Sequence, residues 1–197
     1  MRNHHNTMKN DARKVGDIDL GVQDGQIVGF PLWDRMKDAP GVGITNGTGT
    51  IIKSSVTRRG GIVKTEILLD LTGLNSGGTA GDIIGKNGAG AAYFARWSNE
   101  RNGTPLGGVI TCLETPAGGD TDIDIYAATE ATGVEDVAIS TLDETQLVNS
   151  GAFTVGLSDP LTAMPADGAY LYLVGQGTAN ATYTAGRFLI EFWGVDA

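Results

Sequence analysis

Histidine is nearly absent from this chain: its two copies, His4 and His5, stand side by side in a polar leader. Cysteine occurs once, as Cys112, inside the apolar run Val109–Leu113. Catalysis near neutral pH commonly draws on an imidazole, a thiolate or a metal held by them. Their scarcity argues against an enzyme built on those groups. One cysteine closes no internal disulfide, and 197 residues suffice to bury a core without one. In its apolar setting Cys112 reads as a small buried hydrophobe. No apolar run approaches the length of a membrane span, and the opening MRNHHNTMKNDARK lacks the apolar centre of a secretory signal. These features predict a soluble protein made in the cytosol.

Cations are also in short supply, 14 Lys and Arg against 23 Asp and Glu, for a net charge of −9. The imbalance is uneven. Arg2, Lys9, Arg13 and Lys14 face only Asp11 in the first fourteen residues, a local +3, so the remainder carries −12. An acidic body repels phosphate backbones, which excludes it as a nucleic-acid binder. The basic leader is suited to an acidic partner surface, or is a solvated terminus of ordinary charge.

What is abundant is glycine, 30 residues, set between short alternating apolar runs. Residues 1–46 read as an extended N-terminal arm, punctuated by Gly and Pro and without sustained periodicity. It carries an apolar anchor of Ile27, Val28, Phe30, Leu32 and Trp33. Burial of such side chains is worth roughly 1.5–3 kcal/mol each, so the anchor is expected to lie against its own domain, a sister subunit or a larger assembly. From Thr48 the period becomes two, and Gly60-Gly61 breaks the run as a hairpin turn would. In the next strand Val63, Thr65, Ile67, Leu69 and Leu71 share one face, Lys64, Glu66 and Asp70 the other, with Leu68 as the exception. Further strands are expected at Gly90–Trp97, Val109–Glu114, Asp122–Thr129, Ala152–Leu157, Ala169–Val174 and Arg187–Val195, with weaker ones at Asp82–Lys86 and Val134–Ile139. Leu142–Asn149 is the nearest approach to a helix and holds a turn or two at most. The pattern predicts an all-β protein, an antiparallel β-sandwich of jelly-roll type over residues 47–197. Arg187–Val195 is apolar on nearly both faces, as befits a central strand or one covered by a partner.

Few residues suggest chemistry. Asp120, Asp122 and Asp124 alternate, and on an extended strand would project from one face about 7 Å apart. The spacing opens an EF-hand loop, but no glycine follows at the sixth position and no glutamate at the twelfth. A solvated acidic strand face is the expectation, and a calcium ion between loops the alternative. Gly85–Gly90, GKNGAG, lacks the order of a phosphate loop. Trp33, Trp97 and Trp193 are too scattered to mark a sugar platform among acid pairs. No cofactor or metal is expected, and no membrane contact.

Two stretches, GGDTDIDIYAATEATGVEDVAI (Gly118–Ile139) and ADGAYLYLVGQGTANATYTAGRFLIEFWG (Ala166–Gly194), resemble a family of small proteins of tailed bacteriophages. Their shared features are a D-I-D-[IL]-Y-x-A-T-E strand, an A-Y-L-Y-L-V strand and a closing Y-T-A-G-[RK]-F-L-I-E-[FL] strand. The resemblance implies a capsid decoration, or cement, protein: a jelly-roll body seated on the exterior of the head, bound to the major capsid protein. Lattice symmetry favours a homotrimer, with a dimer as the alternative. In this reading Arg2, Lys9, Arg13 and Lys14 meet acidic capsid or neighbour surfaces, while Ile27, Phe30, Leu32 and Trp33 pin the arm. A receptor- or carbohydrate-binding module using loops such as Asn75–Thr79, Glu100–Thr104 and Gly175–Asn180 is the alternative. An enzyme such as a depolymerase ranks below both, for want of a nucleophile–base pair.

Overall fold

Alternation in the sequence becomes pleat in the structure, a computed structural model that describes residues 39–196 and, upstream, the backbone of two short paired strands. Those two, β1 (Lys14–Val15) and β2 (Ile18–Asp19), pair antiparallel within a first unit, Met1–Lys37. The second unit begins at Asp38. Its strands are β3 (Ile51–Arg59), β4 (Ile62–Asp70), β5 (Asp82–Ile83), β6 (Ala95–Arg96), β7 (Thr104–Ala117), β8 (Ile123–Ala128), β9 (Glu144–Val148), β10 (Ser158–Pro160), β11 (Tyr170–Gly175) and β12 (Ala185–Val195). Two four-residue helices, α1 (Val42–Thr45) and α2 (Asn99–Asn102), complete it with a 3-10 turn at Ile139–Thr141. Among the described residues no helix is long and apolar enough to cross a membrane.

The strands form an all-β antiparallel sandwich. Sheet one has the order β10-β7-β12-β4-β3, and sheet two the order β5-β11-β8-β9, with β6 also paired to β11. From β4 onward, with β5 and β6 sharing one position, the chain visits sheets one, two, one, two, two, one, two, one. The resulting orders, β4-β12-β7-β10 against β5/β6-β11-β8-β9, are those of a jelly roll, with β3 added outside β4. The β3–β4 hairpin closes through Gly60 (φ 60°) and Gly61 (φ 82°), consecutive left-handed positions that match the twist of paired strands.

The core fills the space between the inner faces. Ile67, Leu69, Ile110, Cys112, Phe188, Ile190 and Phe192 come from sheet one, and Ile123, Ile125, Leu171 and Leu173 from sheet two. Phe188 meets Phe153 edge-on at 5.0 Å, and Phe192 packs on Trp97 at 4.9 Å. The alternation read along β4 holds: Val63, Thr65, Ile67, Leu69 and Leu71 are all buried. Asp70, assigned by pattern to the outer side, is also buried. It accepts hydrogen bonds from Thr72 N and Oγ1 and from the Arg187 guanidinium (Nη2 at 2.7 Å). Burial pushes its carboxyl upward, but the Thr72 and Arg187 hydrogen bonds outweigh that and hold it below the ordinary carboxylate range.

Several expectations are corrected. Leu142–Asn149 forms strand β9 rather than a helical turn, because it adds to the edge of sheet two beside β8. Val134–Ile139 is not a strand but part of a covering segment that ends in the 3-10 turn. Ala152–Leu157 holds only an isolated bridge at Ala152, with β10 following it. Gly90–Trp97 contributes only the two residues of β6.

Residues 40–46, grouped with the arm by their Gly and Pro content, belong to the second unit. Gly41 and Gly43 donate to the carbonyls of Tyr93 (2.9 Å) and Ala91 (2.7 Å), and Ile44 is fully buried in the core. Ile44→Ala should therefore cost about 2–5 kcal/mol. For a unit of this size that lowers the thermal midpoint by roughly 5–15 °C, read by calorimetry. An unchanged midpoint would return Ile44 to the arm.

Candidate functional site

The arm residues singled out by sequence, Arg2, Lys9, Arg13, Lys14, Ile27, Phe30, Leu32 and Trp33, lie outside the described residues, apart from the backbone of Lys14 in β1. The functional reading of the second unit therefore rests on its faces and its loop ends.

The loop end near the start of β12 gathers two of the three loops proposed for ligand contact. Ser76 N donates to Ala181 O (3.0 Å), Gly81 N donates to Gly175 O (2.8 Å), and the Ser76 hydroxyl reaches Ala179 O. Asn75–Thr79 and Gly175–Asn180 thus form one surface. Glu100–Thr104 does not join them. It lies at the other end of β12, where Thr104 pairs with Val195 and the Arg58 guanidinium holds the carbonyls of Glu100 (2.6 Å) and Arg101 (2.9 Å).

Asp120 organises the first of these ends. Its Oδ1 accepts from Ala179 N at 3.0 Å, and its backbone carbonyl accepts from the buried Tyr183 hydroxyl at 2.9 Å. Glycine is required around it for space. A Cβ on Gly177 would stand 2.2 Å from Asp120 Oδ1, and one on Gly175 2.7 Å from Oδ2. Asp124 is 1% exposed and accepts from Ser150 N (2.9 Å) and Gln146 Nε2 (2.8 Å).

The expected solvated acidic face is thus overturned. Asp120 and Asp124 are buried because neighbouring loops offer them N–H donors, a provision that alternation along one strand cannot reveal. Among the described residues, no group of three or more His, Cys, Asp or Glu side chains is arranged to hold a metal ion. Cys112 is fully buried on the inner face of β7, and burial raises its thiol pKa, the behaviour of a packing residue rather than a nucleophile.

The two sheets differ in how their outer faces are treated. Sheet two is covered by its own chain. The Tyr172 hydroxyl donates to Glu130 O (2.7 Å) and accepts from Gly133 N (3.3 Å), Ile83 N donates to Val137 O (3.0 Å), and Ala91 bridges Val134. Tyr172 and Val174 are in consequence fully buried although they lie opposite the inner row. Sheet one has no such cover among the described residues. Across it run the rows Thr111–Leu189–Leu68–Lys53, Val109–Glu191–Glu66–Ser55 and Gly107–Trp193–Lys64–Thr57.

Leu113 (43% exposed), Ile51 (44%) and Trp193 (37%) stand in water on this face. Its charges are paired: Lys64 bridges Glu66 (2.9 Å) and Glu191 (2.6 Å), and Arg187 bridges Asp70. The surface mixes exposed apolar side chains with charges of both signs on a chain that is acidic overall, so another protein can approach it without strong like-charge repulsion. Sequence reasoning held two of its parts, the anomalous Leu68 and the doubly apolar Arg187–Val195. It missed that Leu68 and Leu189 face each other directly across the ladder.

Compared with known proteins, the chain matches no family model, no curated protein and no solved structure.

Asp122, half-buried between Asp120 and Asp124 with its Oδ1 enclosed and unpartnered, supplies a test of these acids. Desolvation first, and then the charge of Asp120, raise its carboxyl pKa. A raised folded-state acid favours the protonated fold, and that stability is lost as pH rises from the unfolded value, near 4, through the folded one. Asp122→Asn removes this penalty. Its thermal midpoint should match wild type at pH 3, rise above it as the pH passes through the folded-state value, and stay above it by a constant margin at pH 7. A variant less stable than wild type at pH 7 would contradict the assignment.

Proposed function

We propose that this chain is a structural virion protein that decorates and stabilises a phage capsid by binding its outer surface, with the major capsid protein as its partner. The observation that carries the reading is the outer face of sheet one, charge-balanced and uncovered among the described residues, set beside a sheet two that covers itself. A jelly roll that shields one sheet and presents mixed apolar and paired charged side chains on the other is suited to seating on a protein surface. The resemblance to phage decoration proteins supports the same reading, since its three strand motifs fall on β8, β11 and β12, none of them an edge strand.

The same face also suits self-association, and a homotrimer, or failing that a dimer, fits the symmetry of a capsid lattice. The arm adds a second attachment: Arg2, Lys9, Arg13 and Lys14 toward acidic surfaces, and Ile27, Phe30, Leu32 and Trp33 as apolar pins. Stabilisation follows by mass action. A protein that binds the expanded shell and not its dissociated subunits shifts the equilibrium toward the shell by RT ln(1 + [L]/Kd). A receptor- or carbohydrate-binding module is the second reading, favoured by the meeting of Asn75–Thr79 with Gly175–Asn180. Glycan-array binding lost on substitution in those loops would support it.

The test uses heads of the encoding phage stripped of this protein. Added full-length chain should co-sediment with them to saturation and raise their disassembly temperature. Leu189→Lys and Trp193→Lys, with unchanged melting of the free protein, should weaken binding at least tenfold, about 1.4 kcal/mol. Removal of residues 1–37, which spares Ile44, should abolish binding. No association of wild type with the heads at micromolar concentration would overturn the proposal.

A further inference from the structure

The sheet edges are β10 and β3 in sheet one, and β9 and the short pair β5 and β6 in sheet two. An open edge presents unpaired N–H and C=O groups to any passing strand, and proteins blunt it with short strands, irregular pairing or proline. β10 has three residues and ends in Pro160, and β5 and β6 have two each. β9 has five and pairs irregularly with β8 between Ile125 and Tyr126. β3 carries none of these devices. It runs nine residues, Ile51–Arg59, without proline and in unbroken register with β4 from Ile51–Asp70 to Arg59–Ile62.

The phase of the ladder decides which groups are open. Leu71 N, just past β4, donates to Gly186 O at 2.8 Å, so odd-numbered residues here turn their backbone toward β12 and even-numbered ones toward β3. Ile62, Lys64, Glu66, Leu68 and Asp70 therefore hold Arg59, Thr57, Ser55, Lys53 and Ile51. The N–H and C=O groups of Ile52, Ser54, Val56 and Arg58 point the other way, and no described residue pairs with them. Such a row, repeating every second residue at about 6.8 Å, is matched by another extended peptide backbone.

Charge narrows the class of strand. β3 carries Lys53, Arg58 and Arg59 and no acid, on a chain of net charge −9. Arg58 is held by Asp196 (2.9 Å) and by the carbonyls of Glu100 and Arg101. Lys53 and Arg59 make no ion pair among the described residues, and they lie on the outer side of the sheet, opposite Leu68 and Ile62. A second copy of β3 would bring three more cations to the same ladder, so the edge is set against self-pairing and toward an acidic strand. A cavity of about 110 Å³ adjoins it, lined by Ile52, Ser54 and Ile67 of sheet one and by Phe94, Arg96 and Leu171. A residue placed opposite Ser54 shares the face from which Ser54 lines this cavity. Apolar cavities of roughly 150 Å³ take a benzene, so this smaller one suits a single aliphatic side chain.

We propose that β3 receives an acidic extended segment of another protein as a sixth strand of sheet one, with an aliphatic residue opposite Ser54 and carboxylates opposite Lys53 and Arg59. The ladder to Ile52, Ser54, Val56 and Arg58 supplies affinity, and the two cations and the cavity set register and the choice of partner. The inference goes beyond the decoration reading and does not rest on it: attachment there uses the outer face of the sheet, and here its edge.

The probe is the acetylated, amidated nonapeptide Glu-Thr-Thr-Val-Thr-Leu-Glu-Val-Thr, which in antiparallel register sets its glutamates opposite Arg59 and Lys53 and its leucine opposite Ser54. Added to the ¹⁵N-labelled full-length protein, it should shift the amides of Ile52, Ser54, Val56 and Arg58 saturably, slow their hydrogen exchange and weaken with salt. The same peptide N-methylated at its central valine and leucine keeps its charge but loses two ladder N–H groups. It should bind roughly tenfold more weakly, as should the peptide with lysines for its glutamates. Ser54→Pro, tolerated where an edge N–H faces solvent, should have the same effect at unchanged melting temperature, and so should Lys53→Glu combined with Arg59→Glu. The inference thus does not depend on one variant remaining folded. No saturable shift overturns it, as does equal affinity of the N-methylated or the lysine peptide. Self-association of the wild-type chain that Ser54→Pro abolishes would give the edge to a second copy and overturn it likewise. The titration needs no capsid, so its failure leaves the decoration reading standing. Failure of the wild-type chain to bind heads bears on that reading and not on the edge.

Discussion

Strand β12 carries the architecture. It pairs with β4 from Arg187 to Val195 and with β7 from Ala185 to Val195, so sheet one exists as a sheet because this strand is flanked along nearly its whole length. Its inner row, Phe188, Ile190 and Phe192, is fully buried. At roughly 1.5–3 kcal/mol for each such side chain, it is a leading part of the force that holds the two sheets together. Phe188 reaches Phe153 beyond one end of sheet two, and Phe192 reaches Trp97 near the other. A shift of β12 by one residue would turn Phe188 and Phe192 outward, so burial fixes its register. The loops then follow: with Arg187 paired to Asp70, the segments before β5, before β8 and before β12 must meet at one end.

The outer row of the same strand links fold to function. Leu189 and Trp193 stand among Arg187 and Glu191, each of which is held by a charge on β4. The Lys64–Glu191 pair is partly exposed and adds little to stability, whereas the Arg187–Asp70 pair has its carboxylate buried. Both cancel charge on a face whose apolar members are uncovered among the described residues. Sheet two resolves the same problem differently, by laying Glu130–Leu142 and the chain around Ala91 across its outer side. The contrast between the sheets, more than any single residue, is what sets the proposed attachment on sheet one.

Much of this was legible in the sequence. The strands with clean alternation, β4, β8, β11 and β12, were found with ends within about two residues of those observed. β4 and β12 alternate in burial and β8 and β11 are buried on nearly both faces, and either pattern shows in the apolar side chains themselves. The failures have a shared cause. β7 extends from Thr104 to Ala117, but Pro105 and Gly107-Gly108 read as turn residues. They are tolerated because β12 supplies the pairing and Gly108 leaves room where a Cβ would stand 2.7 Å from Glu191 O. β9 was hidden because Glu144 and Gln146 alternate with Thr145 and Leu147 without a clear apolar face, and only the edge of β8 makes the segment a strand. The strand order was not legible either, since nothing local tells β4 that its neighbour is β12. For the candidate site, Leu68 and the Arg187–Val195 pattern were visible as anomalies.

The most direct test of the proposed decoration role is cryo-electron microscopy of capsids lacking this protein, from a phage whose genome is shown to carry its sequence, incubated with a saturating amount of the full-length protein. The account predicts jelly-roll density at regular positions on the outer surface, with sheet one facing the shell or a sister subunit and the self-covered sheet two facing solvent. Heads indistinguishable from those without the protein would contradict it, and so would density attached through the Asn75–Thr79 and Gly175–Asn180 loop end with the sheet-one face left bare.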